Sequence, residues 1–200
     1  MCAWLPLLLA AGDCEDADAP PPATGAGSSA VRRAGFSGDD ARRLRELGVS
    51  ADELAQLARA RMAGARRQTC VALVAAAHGS GRRFDEGDAV VRLRRAGARD
   101  RTIVELARLG QLRGFATHAV IMRRAGIRDQ SILEIVRFRA AGLPVFSGES
   151  FARLKRAGAR DRTLIELTKR AVPERDVPVL VELRRRGASD TRILSRYPRR

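Results

Sequence analysis

The sequence predicts an all-α protein: tandem helix-turn-helix hairpins of about 30 residues, stacked as a short solenoid or irregular bundle. Three observations lead there. Five glycines sit in near-identical surroundings: LRELGVSADEL around Gly48, LRRAGARDRTI around Gly97, MRRAGIRDQSI around Gly126, LKRAGARDRTL around Gly158 and LRRRGASDTRI around Gly187. Phe84, Phe115 and Phe146 fall 31 residues apart, which sets the period. No stretch alternates apolar and polar residues with period two, so no sheet is expected.

Each element of the unit has a local cause. Four residues before the glycines stand Leu44, Leu93, Met122, Leu154 and Leu183, and six after them Leu54, Ile103, Ile132, Leu164 and Ile193. A first helix therefore ends, the glycine takes the left-handed position beyond it, and Val49, Ala98, Ile127, Ala159 or Ala188 supplies the apolar contact of that cap. Asp100, Asp129, Asp161 and Asp190 follow three residues after the glycine, with Asp52 shifted by one in the first copy. These are expected to N-cap a second helix, whose buried stripe starts with residues such as Ile103, Val104 and Leu106.

The entry to each unit is marked too. Phe36-Ser37, Phe84-Asp85 and Phe146-Ser147 place an aromatic before an N-cap residue, the arrangement of a hydrophobic staple, with a looser version at Phe115 and Thr117. Between Gly48 and Phe84 the pattern degenerates. A longer helix is expected there, from about Asp52 through TCVALVAAA to His78, stopped by Gly79-Ser80-Gly81. Pro173 and Pro178 mark the entry to the last unit. The whole resembles short helical-hairpin repeats of the LxxAGxxDxxI type found in bacterial proteins of uncharacterised function, over roughly residues 36–196; the resemblance implies a fold and no chemistry.

Ahead of the repeat domain (35–200) lie two further segments. Residues 2–12, CAWLPLLLAAG, are apolar and uncharged, too few to span a bilayer as a helix but suited to the hydrophobic region of an export signal. Asp13-Cys14 follows, then a Pro/Gly/Ala/Ser stretch too poor in large apolar groups to fold. Apolar run, Cys, acids and tether resemble a bacterial lipoprotein leader (1–14) with a disordered linker (15–34). The resemblance implies acylation at Cys14, a lipid anchor and no transmembrane helix; cleavage at Ala17-Asp18-Ala19 is the rival.

Charge narrows the function classes. The chain holds 38 Lys and Arg against 23 Asp and Glu, a net charge of +15. Residues 1–30 contain four of the acids and none of the cations, so residues 31–200 carry +19. Such a field attracts phosphate polymers, anionic lipid headgroups or acidic glycans. Three residues before each repeat glycine stand Arg45, Arg94, Arg123, Lys155 and Arg184, and beside them Arg95, Arg124, Arg156, Arg185 and Arg186. In stacked hairpins these line up as a ridge able to engage a linear polyanion or an acidic protein. The competing account is structural: cations in a last helical turn complement the dipole and its exposed carbonyls.

Catalysis finds little support. His78 and His118 are far apart with no Cys or acid at ligand spacing, which fits capping or packing better than metal binding. Cys70 lies on an apolar helix as a small buried hydrophobe. The Arg101–Glu105 and Arg162–Glu166 spacings suggest weak surface pairs. No enzyme activity, cofactor or metal is expected. The sequence thus points to a non-catalytic basic scaffold of the bacterial cell envelope, exported to the periplasm or membrane-anchored, binding a protein or an anionic envelope polymer or lipid. The alternative is a cytoplasmic nucleic-acid binder, because Gly97, Ile103 and Leu106 match the spacing of a DNA-binding helix-turn-helix. Against it, Leu or Met replaces the small residue four before the glycine, and Glu105, Glu134 and Glu166 on the second helices repel phosphates.

Overall fold

The computed structural model describes residues 35–198; the expected leader with Cys14 and the linker lie outside them. Eleven α-helices and one short 3-10 helix form the described residues, with no strand among them. In chain order they are α1 (Gly38–Glu46), α2 (Ala51–Met62), α3 (Arg67–His78), α4 (Gly87–Arg95), α5 (Asp100–Arg108) and α6 (Leu112–Arg124). Then come α7 (Asp129–Ala140), α8 (Gly148–Arg156), α9 (Asp161–Lys169), the 3-10 helix (Glu174–Asp176), α10 (Val177–Arg185) and α11 (Asp190–Ser195).

Packing sorts the helices into two layers. Each helix lies against the helix two places along: α1, α3, α5, α7, α9 and α11 form an odd layer, and α2, α4, α6, α8 and α10 an even layer. Most of these helices have nine to thirteen residues, too short to be stable alone, so the stacking itself holds them. The core between the layers takes Leu57, Val90, Phe115, Phe151 and Leu180 from the even side and Leu73, Ile103, Ile135 and Leu164 from the odd side, all fully buried. The all-α stacked architecture is as the sequence predicts.

A left-handed residue turns every corner. The chain leaves the odd layer at Gly48, Gly81, Gly110, Gly142 and Ala171, and leaves the even layer at Gly64, Gly97, Gly126, Gly158 and Gly187. Each of the second set follows its partner in the first by sixteen residues. The helix stop expected at Gly79-Ser80-Gly81 is the odd-layer corner, with Gly81 at φ +69°. The helix ends hold their carbonyls in paired bonds: Ala98 N–H reaches Leu93 O at 3.0 Å while Gly97 N–H reaches Arg94 O at 2.9 Å. The buried Ala98, Ile127, Ala159 and Ala188 beyond these glycines are the expected apolar contacts.

Four local expectations are corrected. Gly48 is a corner of the opposite kind, odd layer to even, so the true first member of the Gly97 column is Gly64. The long helix over residues 52–78 is two helices, because Gly64 at φ +87° breaks it within Ala63-Gly64-Ala65. The aspartates do not N-cap their own helices: the N-caps are Arg99, Arg128, Arg160 and Ser189, and Asp100, Asp129, Asp161 and Asp190 are the first helical residues. Of the phenylalanine entries, Ser37 and Ser147 do cap helices, but Glu86 replaces Asp85 at the start of α4, and Phe115 lies inside α6.

A longer repeat overlies the short one. LRRAGARDRTIVEL (93–106) returns as LKRAGARDRTLIEL (154–167), 61 residues later. Gly87 and Gly148 occupy equivalent first positions of α4 and α8 at the same separation. Both are points of close approach. A Cβ on Gly148 would lie 2.7 Å from His118 Cα and 2.8 Å from His118 O, and one on Gly87 would lie 2.7 Å from Gln56 O.

Candidate functional site

At the corners leaving the even layer, each aspartate reaches back to the preceding repeat. Asp129 accepts bonds from Arg99 N–H at 2.8 Å and Thr102 Oγ1 at 3.0 Å; Asp161 accepts from Arg128 N–H at 3.0 Å and Ser131 Oγ at 3.0 Å. Asp129 and Asp161 thus satisfy the free amide at the start of a neighbouring helix, a cap delivered between repeats instead of within one, while Asp190 reaches back to the Arg160 guanidinium at 3.7 Å. Burial pushes the Asp161 carboxyl up, but the bonds from Lys155, Arg128 and Ser131 outweigh it and hold its pKa at about 2.

This ladder decides the fate of the basic ridge, which separates into two rows. Three residues before the glycines, Arg94, Arg123, Lys155 and Arg184 turn inward. Each pairs with the aspartate of its own corner: Arg94–Asp100 at 3.1 Å, Arg123–Asp129 at 2.8 Å, Arg184–Asp190 at 3.1 Å, and Lys155 with Asp161. Three of them also close the corner by donating to the carbonyl after the glycine, as Arg184 does to Ala188 O at 2.7 Å. Arg184 and Arg123 further reach the glycine carbonyl of the preceding repeat, Gly158 O at 2.6 Å and Gly97 O at 3.3 Å. This row is a fastening within the molecule. Arg45, sequence-aligned with it, caps Ala41 O on the opposite edge, and Arg186 pairs with Glu182.

One residue further on, Arg95, Arg124, Arg156 and Arg185 are exposed and have no hydrogen bond or ion pair among the described residues. They stand in the last turns of α4, α6, α8 and α10, four successive helices of the even layer, and so form a row across it. Two arginines not singled out from sequence join them: Arg92 and Arg153, three residues before Arg95 and Arg156, are equally exposed and unpartnered among the described residues. Between α8 and α10, Arg153, Arg156 and Arg185 line a groove of about 260 Å³ with Ala157 and Val181 and no acid on its walls. The i,i+3 spacing that places Arg92 beside Arg95 was legible, but only once the glycine column had been assigned to a helix end.

Several other polar groups serve the fold. His78 Nε2 lies 2.7 Å from Glu53 Oε1, and Glu53 is buried. Burial raises the Glu53 carboxyl, yet bonds from Phe84 N–H, Ser50 N–H, His78 and Ser50 Oγ dominate and bring its pKa to about 2. His118 Nδ1 accepts from Gly148 N–H at 2.9 Å, tying α6 to α8. Cys70 is fully buried and its thiol is pushed up to about 12 by that burial. Glu105 pairs across to Arg137 at 2.9 Å in place of the expected Arg101. Glu166 meets Lys169 at 3.4 Å. Among the described residues no group of three or more His, Cys, Asp or Glu is placed to hold a metal, and no helix is long and apolar enough to cross a membrane.

The second helices α5, α7 and α9 are each flanked on both sides by neighbours in the odd layer. A recognition helix must project to enter a major groove, so this packing counts against docking on DNA in the helix-turn-helix manner. Compared with protein-family models and with curated proteins, the chain matches none of them.

Proposed function

We propose that the protein is a non-catalytic interaction scaffold that holds an anionic partner against the even layer. The observation that carries this reading is the row Arg95, Arg124, Arg156 and Arg185, exposed and without partners among the described residues on four successive helices. Side chains with no hydrogen bond or ion pair within the fold retain their full capacity for guanidinium–oxyanion bonds. Adjacent packed helices lie about 8–10 Å apart, so the row suits an extended acidic polymer or a charged surface better than one small ion. The described aromatics other than the half-buried Phe138 and Tyr197 are buried, so the face offers no platform for stacking bases. A partner in the cell envelope accords with the lipoprotein-like leader, and the protein would then act exported or lipid-anchored.

The test is a salt titration of binding to long-chain polyphosphate and to vesicles with anionic lipid. Replacing Arg95, Arg124, Arg156 and Arg185 together by Gln is expected to lower affinity at least tenfold while leaving the melting temperature in place. Unchanged affinity overturns the assignment of this face. Tight, sequence-selective binding to duplex DNA at physiological salt overturns the scaffold reading in favour of nucleic-acid recognition.

A further inference from the structure

The free arginines are not evenly distributed along the row. In the groove between α8 and α10, Arg153 and Arg156 come from one helix and Arg185 from the next, over a floor of Ala157 and Val181. Sixty-one residues earlier the chain carries Arg92, Arg95, Ala96, Val120 and Arg124, the same five residue types at the same five positions. These lie on α4 and α6, which pack side by side as α8 and α10 do. The intervening groove, between α6 and α8, breaks the pattern: Ile121 stands where Arg92 and Arg153 stand, leaving only Arg124 and Arg156.

We infer that the even layer carries two discrete binding sites for a terminal phosphate or pyrophosphate group, one formed by Arg153, Arg156 and Arg185 and its twin by Arg92, Arg95 and Arg124. This deepens the scaffold reading and rests on it. Charge and geometry select the ligand class. One guanidinium fork already matches both oxygens of a carboxylate. Three forks on one groove without a carboxylate call for a head of higher charge and more oxygens, and a phosphomonoester carries about −1.5 to −2 at pH 7 with three acceptor oxygens. On the same helices Asp88 and Glu149 sit one turn before Arg92 and Arg153, and Glu182 three residues before Arg185; Asp88 pairs with Arg59 at 3.5 Å and Glu182 with Arg186 at 2.8 Å, and Glu149 pairs with none of the three arginines. At about 260 Å³ the groove admits a head group and leaves the rest of the ligand outside.

Calorimetric titration of the full chain with inorganic pyrophosphate at 150 mM salt is expected to show two sites. Arg153→Gln with Arg185→Gln removes one of them. Arg101→Gln with Arg108→Gln, an equal loss of charge on the odd layer, leaves both. Far-ultraviolet dichroism confirms that the exposed substitutions leave the fold intact. Equal losses in the two double variants, or non-saturable binding, overturn the discrete sites while polyphosphate binding by the wild-type chain keeps the broader reading standing; absence of all polyanion binding overturns both. Vesicles containing phosphatidic acid, set against phosphatidylglycerol at equal surface charge, identify the source: retention on the former alone marks a lipid headgroup, and retention on neither with pyrophosphate still bound marks a soluble phosphate.

Discussion

Lys155 and Arg156 are adjacent cations in one helical turn, and they belong to different parts of the protein's chemistry. Lys155 is three-quarters buried against Asp161, itself almost wholly buried, inside a network that joins two repeats. Arg156 is exposed and touches no partner among the described residues. The same division runs through Arg94 and Arg95, Arg123 and Arg124, and Arg184 and Arg185. A basic stripe that reads as one feature in the sequence is two features in space, set about 100° apart around the helix by its 3.6-residue turn. The inner row holds the array together, and the outer row is available to a ligand. The contrast also explains why so basic a chain folds: part of its charge is neutralised at the corners, where each carboxylate serves two repeats.

The inner row can be broken most severely through its buried acid. Asp161→Ala leaves Lys155, Ser131 Oγ and Arg128 N–H without their acceptor. Removing one partner from a buried, charged network costs about 3–5 kcal/mol, read as the shift in urea unfolding. A loss below about 1 kcal/mol would show that the ladder contributes little, since exposed pairs alone reach that value.

Acid tests the same network without mutation. Asp161 and Glu53 both titrate near 2 in the folded chain, below their ordinary values of 3.8 and 4.5. Carboxylates depressed on folding stabilise the protein fully above their unfolded values and lose that contribution as pH falls. At about 1.4 kcal/mol per pH unit, each gives up about 2–3 kcal/mol between pH 4.5 and 2. The melting temperature is expected to be flat from pH 5 to 8 and to fall steeply below 4.5, less so in Asp161→Asn and Glu53→Gln. A flat profile down to pH 3 would contradict the assigned network.

Smaller effects separate individual corners. Arg123→Gln loses the bonds to Asp129, Ile127 O and Gly97 O and is expected to cost about 1–2 kcal/mol in chemical denaturation. Ala171 is the one described non-glycine residue with positive φ, at 50°, in the series where Gly48, Gly81, Gly110 and Gly142 stand elsewhere. Ala171→Gly should relieve a left-handed Cβ clash and stabilise the chain by about 1 kcal/mol, seen as a raised melting temperature.

How much of this was legible in the sequence follows from what each residue type does locally. The four even-layer glycines 97, 126, 158 and 187 were readable because a left-handed helix end leaves a residue-type mark at one position. Gly64 escaped notice because Arg67 and Cys70 occupy the places where its sister corners have Asp and Ile or Leu, although Ala-Gly-Ala surrounds it as it does Gly97. Among the odd-layer corners, Gly48 and the stop at Gly81 were readable, though Gly48 was placed in the wrong column; Gly110 and Gly142 were hidden by variable neighbours and Ala171 by the absence of glycine. The aspartates were misassigned for a different reason. Their spacing suits an N-cap, but which helix a carboxylate serves depends on the stacking of repeats, and stacking is a long-range fact. The division of the arginine stripe was concealed for the same reason, since its inner face is defined only once Asp129 or Asp161 lies opposite.

The smallest expected effect is also the sharpest check on the division. Arg124→Gln removes a guanidinium with no hydrogen bond or ion pair among the described residues, so its unfolding free energy should stay within about 0.5 kcal/mol of the wild-type value. Its neighbour Arg123, changed the same way, loses three partners and costs several times more. The two variants have the same charge, the same sequence position within one residue and the same host helix. Net-charge relief and helix propensity therefore cancel between them, and the difference isolates the contacts made by the inner row. If both variants unfold at the same urea concentration, the inner row fastens nothing, and the outer row loses the contrast that marks it as available for binding.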